Sequence, residues 1–312
     1  MSVPICRTAV LLVPFKRKQI FERTINAVRM VRPTKIYLAF DAPRANAEGE
    51  SEACRDMRDF VERSIDWPCD VRVDRSATNL GSSERMISAI NWAFKTEERL
   101  ITLEEDCVAH PTFFRYCEEL LERYAEEPQI GMISGNQFAP PYWTDSPESS
   151  YSFTWLSQIW GFATWRRAWA NMDASYTHWP EEKEKGMLAD IFENPRDQRY
   201  WARNFDGKRN PGCWDYRWAF SRWRQRQLGI VPRVNLVSNI GFGPEATHTI
   251  DAGHRVANTA LSAMSFPLRH PTKITRDRNM DTYNAQILFS AGGRRHLYLM
   301  YARRWLQRLR KR

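Results

Sequence analysis

The stretch LITLEED (residues 100–106) joins a short apolar run to three consecutive carboxylates. A short apolar run with charged boundaries is typical of a strand buried in a parallel sheet. The three carboxylates are either a solvated turn before the next helix or a site that binds a positive group. A divalent cation such as Mg²⁺ prefers hard oxygen ligands, and one or two carboxylates often hold it together with water and phosphate oxygens. The stretch therefore predicts a strand whose end is a candidate binding position.

Strand and helix patterns alternate on both sides of this stretch. Apolar runs predict strands at residues 8–15, 35–42, 69–75, 99–106 and 130–138. Apolar residues at helical spacing predict helices at residues 20–31, 50–65, 82–94 and 111–127. This alternation predicts an α/β fold of the Rossmann-like type, with a mainly parallel central sheet and helices on both faces.

Polar side chains follow several of the predicted strands. Open α/β sheets bind ligands beyond the carboxyl ends of their strands, so these side chains are expected to meet at one edge. They are Lys16 and Arg17 after the first strand, Asp41 after the second, Asn79 and Gly81 after the third, and Glu104, Glu105 and Asp106 after the fourth. Basic groups beside several carboxylates favour an anionic ligand bridged by a metal ion.

From about residue 140 the alternation gives way to a loop rich in Pro, Ser and aromatic residues, followed by a tryptophan-rich segment. The second half contains no internal repeat or low-complexity tract. We therefore interpret residues 1–290 as a single domain made of two halves, 1–138 and 139–290. Residues 291–312 are predicted to form a separate C-terminal helix.

The composition favours a folded cytoplasmic protein. Hydrophobic residues make up 43% of the 312 residues and aromatic residues 13%, which excludes a disordered chain. The six cysteines are scattered without a CxxC pair, as expected for reduced thiols. The first thirty residues lack a signal-peptide pattern, and no stretch approaches the roughly 20 apolar residues of a membrane span.

The net charge of +9 is concentrated in residues 294–312, which hold eight Lys or Arg and no Asp or Glu. Helical spacing there places an aromatic, apolar face opposite a basic one. Such a helix is typical of docking on an anionic membrane, so we expect peripheral association with the inner face of a membrane. The alternative is a helix that packs its apolar face on the body. The near-neutral body argues against a nucleic-acid partner.

Three ordered segments within residues 7–248 resemble glycosyltransferases of the GT-A fold, most closely the N-acetylglucosaminyltransferase I-like group. LEEDCVAHPTFF (residues 103–114) is similar to a strand ending in Glu-Asp-Asp before a Pro-x-Phe-Phe helix, with Glu105 replacing the middle Asp. WGFATWRRAW (160–169) resembles a Trp-Gly-x-x-Thr-Trp pattern at the acceptor side. The segment at 213–243 resembles a Trp-Asp-x-Trp element and the basic helix, strand and glycine turn after it, with one extra residue between Trp214 and Trp218.

The resemblance implies metal-dependent, inverting transfer of a sugar from a nucleotide diphosphate, with a UDP-sugar and UDP-N-acetylglucosamine favoured. The implied acceptor is a hydroxyl of a glycan or a lipid-linked glycan, as in the synthesis of cell-surface polysaccharide. The implied halves are nucleotide-sugar-binding (1–138) and acceptor-binding (139–290). Carried over by position, Asp106 is the direct ligand of Mn²⁺ or Mg²⁺, Glu105 lies near the ribose and Glu104 near the donor sugar. Arg17 lies where the group has a basic residue on the nucleotide, and Asp41 where an Asp contacts the uracil.

Asp215 is the candidate general base, because an inverting displacement needs a carboxylate that accepts the proton of the acceptor hydroxyl. Its alternative role is a carboxylate at a helix N-terminus, where the helix dipole favours negative charge. Four tryptophans are predicted to line the acceptor groove, and core packing is expected for most of the others. The four are Trp160, Trp165, Trp214 and Trp218.

Three further positions have two interpretations each. The loop at 239–249 carries His248 and either orders over the donor diphosphate or is an ordinary connection. Asn79 and Gly81 are predicted to close a turn near the nucleotide. Arg85 either offsets phosphate charge or forms a surface salt bridge.

Two other classes of function compete with this one. A sugar-nucleotide nucleotidyltransferase predicts a glycine-rich basic loop after the first strand, whereas PFKRKQ (14–19) contains no glycine. A non-enzymatic membrane- or RNA-binding protein would act through the basic tail alone. The acidic triplet and the Trp-Asp element argue against that class.

Overall fold

A computed structural model of the chain describes residues 5–139, 148–156, 158–208, 212–243 and 256–288. The strands of this described part are β1 (Val10–Val13), β2 (Lys35–Phe40), β3 (Asp70–Arg75), β4 (Arg99–Glu104), β5 (Cys107–Ala109), β6 (Ile130–Ser134), β7 (Tyr151–Thr154), β8 (Phe162–Trp165), β9 (Leu228–Pro232) and β10 (Val237–Asn239). Its helices are α1 (Lys18–Arg29), α2 (Glu50–Ser64), α3 (Gly81–Ala93), α4 (Pro111–Arg123), α5 (Arg166–Trp169), α6 (Trp179–Glu184), α7 (Met187–Ile191), α8 (Pro195–Phe205), α9 (Trp214–Arg224) and α10 (Arg278–Leu288).

The central sheet has the strand order β3-β2-β1-β4-β8-β6-β9-β7 within the described residues. Strands β1, β2, β3, β4, β6 and β9 run in one direction, while β7 and β8 run in the other. The predicted α/β class with a mainly parallel central sheet is confirmed. A second, two-stranded sheet pairs β5 with β10 in antiparallel orientation.

The inner strands of the sheet are buried on both faces, which explains their continuous apolar runs, whereas the edge strand β3 is largely exposed. Leu12, Leu38 and Leu103 face a core that contains residues of α1, α2 and α4. Leu11 and Tyr37 face a second core formed with α3, α5 and α9. Helices on both faces are therefore confirmed. A third, aromatic-rich core joins α6 to α9 and holds Trp179, Trp201 and Trp223, among others.

The predicted elements of the first half are present; the strands and α2 and α4 are shorter than predicted, while α1 and α3 keep their predicted length and start two residues and one residue earlier. The five strands predicted there correspond to β1, β2, β3, β4 and β6, and the four helices to α1, α2, α3 and α4. The short strand β5, which follows the acidic triplet directly, was not predicted. Three residues are too few to show a strand period, and β5 exists because β10 pairs with it.

Two predictions lie outside the described residues: the basic helix at 291–312 and the role of His248. Among the residues that are described, no helix combines the length and the apolarity needed to cross a membrane.

Candidate active site

One cavity of about 750 Å³ lies at the carboxyl ends of β1, β2 and β4, between the N-termini of α3 and α9. Most of the predicted site residues line it, although they come from distant parts of the chain. The predicted residues that line it are Arg17, Asp41, Asn79, Gly81, Arg85, Glu104, Glu105, Asp106, Trp160, Trp214 and Asp215.

Asp106 lies in the turn between β4 and β5, and its side chain is 14% exposed. Nη2 of Arg17 donates to its Oδ2 at 2.8 Å, and Nδ2 of Asn239 donates to its Oδ1 at 3.1 Å. Asn239 reaches this carboxylate because β10 pairs with β5, with Asn239 opposite Cys107. Asp106 thus joins the loop after β1 to the end of β10.

Gly241 packs directly against this ion pair. A Cβ at position 241 would lie 1.9 Å from Oδ2 of Asp106 and 2.8 Å from Nη1 of Arg17. The carbonyl of Gly241 accepts from Nη1 of Arg17 at 3.3 Å, and its N–H donates to Oδ1 of Asn239 at 2.9 Å. Only glycine allows the backbone to approach this closely.

Glu105 is 5% exposed and holds the loop between β1 and α1. Its Oε2 accepts the N–H groups of Phe15 at 2.5 Å and Lys16 at 2.9 Å. Its Oε1 accepts the N–H of Arg17 at 3.3 Å and the Nε of Arg17 at 2.5 Å. A carboxylate offers about four acceptor positions, and protein donors fill them here. The structure therefore makes Glu105 a positioning residue for this loop, and its expected contact with the ribose stays a prediction.

Arg17 carries its charge between Glu105 and Asp106. Burial lowers its pKa, but the two carboxylates more than offset burial, so the pKa of Arg17 is raised. The guanidinium is only 17% exposed and is fixed through three nitrogens, to the two carboxylates and the carbonyl of Gly241. It is a rigid, permanent positive charge on the cavity wall.

Glu104 is the last residue of β4 and is half-buried at the cavity. Burial raises its pKa to about 8, with further contributions from the charges of Asp106 and Asp215. Its carboxyl group is thus mostly protonated at pH 7 in this arrangement. A positive charge placed among the three carboxyl groups would favour the ionised form.

Asp41 follows β2 and is 8% exposed. Its carboxylate accepts the N–H groups of Ala42, Leu80 and Gly81, each at 2.9 Å, and the Nδ2 of Asn79 at 3.2 Å. These donors fill the acceptor positions of Asp41, which therefore holds the segment from Asn79 to Gly81 at the start of α3. The expected contact of Asp41 with a uracil ring stays a prediction.

Three more basic side chains line the cavity. Lys16 and Arg44 both pair with Glu50, the first residue of α2, at 2.6 Å and 2.5 Å. Arg85 is 3% exposed and pairs with Asp74 at 2.7 Å. Arg85 thus forms a salt bridge, as one of its two interpretations expected, but its guanidinium is buried at the cavity rather than on the open surface.

Asp215 is the second residue of α9 and lines the cavity. Contacts between α9 and α3 fix the start of this helix. The N–H of Trp214 donates to Oγ of Ser83 at 2.9 Å, and Arg217 pairs with Glu84 at 2.5 Å. The charge of Asp215 acts on Glu104, so the two carboxyl groups lie within electrostatic range. Two carboxyl groups, those of Glu104 and Asp215, therefore face the same cavity.

The four predicted acceptor tryptophans divide into two pairs. Trp160 lines the cavity and packs edge-on against Phe138 and Phe242, with ring centroids 5.5 Å apart in each case. Trp214 also lines it and stacks on Phe162. Trp165 and Trp218 are 2% and 0% exposed in the core and do not reach the cavity. Neither offers a ring face to an acceptor, which corrects that prediction.

Two residues that line the cavity, Asn239 and Tyr216, and one behind its wall, Glu50, were not predicted as site residues. Asn239 holds Asp106, Tyr216 lines the wall beside Asp215, and Glu50 fixes two of the basic groups. Asn239 belongs to the segment NIGFG, whose glycines suggested a loop. Only the pairing of β10 with β5 reveals that this segment touches the acidic triplet.

The carboxylate oxygens at the end of β4 fit a divalent cation that takes most of its ligands from water and phosphate. Within the described part of the chain, no group of three or more His, Cys, Asp or Glu is arranged to hold a metal ion by itself. Asp106 supplies one carboxylate: its Oδ2 accepts one donor, from Arg17, and retains a second lone pair, while its Oδ1 accepts from Asn239 and weakly from the thiol of Cys107. One or two carboxylates plus phosphate oxygens suffice for Mg²⁺, so Asp106, with Glu104 beside it, matches that need.

No family model and no curated protein matches the chain. Among solved structures, it is similar to the mannosyltransferase PcManGT from Pyrobaculum calidifontis in complex with GDP-Man and Mn²⁺, at 14% identity over 51% of this chain and 44% of that one, with a TM-score of 0.32. It is similar to S. aureus TarS 1–349 at 10% identity over 74% and 59%, with a TM-score of 0.43. It is also similar to a UDP-glucose pyrophosphorylase complexed with UDP-glucose, at 10% identity over 72% and 90%, with a TM-score of 0.35. The chain thus spans about half the length of the first two, and at these scores the similarities do not decide between functions.

Proposed function

We propose that this protein is a GT-A-type glycosyltransferase that moves a sugar from a nucleotide diphosphate to a hydroxyl group of an acceptor. The observation that carries the proposal is one cavity that gathers the acidic end of β4, the fixed charge of Arg17 and the carboxylate of Asp215. The geometry supports a division into a charge-binding side and a proton-accepting side.

On the charge-binding side, Arg17 and Lys16 would offset the negative charge of the donor diphosphate. Glu105 contributes by holding the loop that carries both residues. A divalent cation bound at Asp106 would stabilise the leaving diphosphate by neutralising its developing charge. We propose Mn²⁺ or Mg²⁺ for this role and a UDP-sugar, UDP-N-acetylglucosamine first, as the donor.

On the proton-accepting side, Asp215 would take the proton of the acceptor hydroxyl as that oxygen attacks the anomeric carbon. Attack from the side of a base, with the diphosphate leaving on the other, inverts the anomeric centre. Trp160 and Trp214 would supply apolar faces against which sugar rings pack. The charges of Asp106 and Asp215 both act on Glu104. Glu104 would therefore lie between the metal side and the base side of the cavity, next to the donor sugar.

The loop after β1 argues against a nucleotidyltransferase. That class needs backbone N–H groups in this loop for the phosphates of its nucleotide. Here the N–H groups of Phe15, Lys16 and Arg17 all donate to Glu105. This loop therefore presents an anion with the charges of its Lys16 and Arg17 side chains, while its backbone N–H groups are already bound.

A thermal-shift panel of nucleotide sugars, each with Mn²⁺, Mg²⁺ or EDTA, tests the proposal. We expect UDP-sugars to raise the melting temperature when metal is present and EDTA to remove most of that rise. Asp106→Asn should abolish the metal-dependent part, whereas Asp59→Asn, an exposed carboxylate on α2, should leave it intact. If no nucleotide stabilises the protein under any condition, the proposed function is wrong.

A further inference from the structure

Helix α8 carries an arginine face that the proposed reaction does not use. Arg196, Arg199 and Arg203 are exposed, and helix geometry places them within about 60° of one another around the axis. The acidic residue of this helix, Asp197, is 7% exposed and lies off that face. The arginine face of α8 is therefore a local excess of positive charge.

Other exposed arginines close to α8 are neutralised by carboxylates. Arg226 pairs with Asp190 at 2.8 Å, and Arg278 pairs with Glu193 at 2.5 Å. Within the described residues, no carboxylate pairs with the three arginines of α8. Guanidinium groups match phosphate and carboxylate in a two-point geometry, so this face suits a ligand with repeated anionic groups.

The arginine face of α8 is joined to the cavity by one hydrogen bond. Tyr200 lies on α8 beside Arg196 and Arg203, and its hydroxyl is 2.6 Å from the hydroxyl of Tyr216. Tyr216 lines the cavity next to Asp215. Arg196 and Arg203 are about 10 Å apart along the helix axis, which is the scale of two sugar units. A chain-like ligand with its reactive hydroxyl at Asp215 can therefore extend past Tyr216 along this face.

We propose that the arginine face of α8 binds the acceptor, and that the acceptor is an anionic glycan carrying phosphate or carboxylate groups. This inference rests on the proposed function, since it assigns the acceptor of that reaction. A lipid surface fits the face less well. Trp201 and Phe205, on the opposite side of α8, are buried in the core, so α8 has no apolar face to insert among lipids.

The test compares the full chain with the triple variant R196Q/R199Q/R203Q and with a control triple variant of equal charge, R23Q/R55Q/R63Q. The control arginines are exposed on α1 and α2, which pack on the sheet face opposite to α9. Fluorescein-labelled dextran sulfate is the probe, neutral dextran is its blank, and fluorescence anisotropy gives the affinity. We expect binding to weaken by at least about tenfold in the α8 variant, because three charge-assisted contacts are lost, and to stay within about twofold in the control.

Three outcomes would overturn the inference. Equal losses in both triple variants would show that only overall charge matters, and unchanged binding in both would show that α8 is not the surface. Loss of flotation with phosphatidylglycerol vesicles in the α8 variant, with dextran sulfate binding unchanged, would assign the face to a membrane. UDP stabilisation should be the same in all three proteins. If UDP stabilises the protein but the α8 variant binds dextran sulfate as well as the full chain does, the acceptor assignment is wrong and the proposed function stands. If no nucleotide stabilises the protein, the proposed function itself is wrong.

Discussion

Glu104, Glu105 and Asp106 are consecutive in the chain, yet their carboxyl groups have three different surroundings. Glu105 points into the loop after β1, Asp106 reaches Arg17 and Asn239, and Glu104 faces the cavity. Successive side chains at a strand end point to opposite sides, which explains the separation. Three acidic side chains lie side by side here because Arg17 pairs with Glu105 and Asp106, while the raised pKa of Glu104 favours its uncharged form.

At the residue scale, Asp215→Asn tests the proton-accepting role. The amide keeps the shape of the side chain but cannot accept the hydroxyl proton, so we expect transfer to fall by about 10²–10⁴-fold. Nucleotide binding should remain within about twofold of the wild type, because Asp215 does not contact the donor in our proposal. Transfer assays and calorimetric UDP titrations measure the two quantities. Transfer at the wild-type rate would exclude Asp215 as the base.

Glu105→Gln tests the positioning role that the structure gives to this residue. The amide leaves buried donors of the loop unpaired, so we expect unfolding free energy to fall by about 1–3 kcal/mol and UDP affinity to fall with it. Glu118→Gln is a matched control, because Glu118 accepts the N–H groups of Arg7 and Thr8 at 2.6 Å and 2.9 Å, away from the cavity. It should lose stability but keep UDP affinity. Equal UDP affinity in both variants would contradict the positioning role.

How much of the site the sequence predicts depends on what each residue contacts. Arg17 and Asp106 could be proposed because their charges follow recognisable strands, and Asp215 because its segment resembles a Trp-Asp element of the GT-A glycosyltransferases. The donors that surround Glu105 and Asp41 are backbone N–H groups, which every residue carries, so no residue type signals them. The positions of Trp165 and Trp218 could not be predicted for a similar reason, because the sequence does not distinguish a tryptophan of the core from one that stacks on a sugar.

At the scale of elements, Glu50 links three segments around the cavity. As the first residue of α2 it accepts Nζ of Lys16 from the loop after β1, and the guanidinium of Arg44 from the loop after β2. The Arg44 hydrogen bond is the largest of the effects that lower the pKa of Glu50 to about 2, against burial, with Lys16 adding to it. The ordering of two cavity loops therefore depends on one ionised carboxylate.

This link predicts a specific pH dependence. Because the folded pKa of Glu50 is about 2 and its ordinary value is 4.5, its stabilisation is fully present above about pH 4.5 and is lost as the pH falls through about 2. We expect Glu50→Gln to lower unfolding free energy by about 1–2 kcal/mol at pH 7, allowing for solvent around the exposed Arg44. Urea unfolding of both proteins at several pH values should show the difference shrinking in acid. A difference that stays constant down to pH 2 would mean that packing, not charge, is lost.

The elements themselves were largely predictable, because apolar runs and helical spacing are local signals. Strands β1 to β4 and helices α1 to α4 follow from residues within each segment. Strands β5 and β10 have three residues each. They form only because they pair with each other, although about 130 residues separate them in the sequence. The antiparallel strand β8 could not be predicted either, because the four residues FATW do not indicate which strands will pair with it.

At the scale of the whole molecule, the two halves of the chain are interleaved in one sheet. Strand β8 lies between β4 and β6, so β6 has no neighbour from residues 1–138. Its partners β8 and β9 both belong to residues 139–290. The cavity is divided in the same way, with Asp106 from one half and both Asn239 and Asp215 from the other. We propose that residues 1–290 fold as one unit, and that the halves are functional rather than structural divisions.

The interleaved sheet makes a truncation at residue 138 informative. A fragment of residues 1–138 would expose the free edge of β4 and leave β6 unpaired, so we expect it to lack a cooperative thermal transition by circular dichroism. The full chain should unfold in a single transition, with tryptophan fluorescence and far-ultraviolet circular dichroism giving the same midpoint. Most of the thirteen tryptophans lie in residues 139–312, whereas both halves contribute strands, so the two signals report on different parts of the chain. Separate midpoints in the full chain, or a cooperative transition in the fragment, would show that the nucleotide-binding half is a domain of its own.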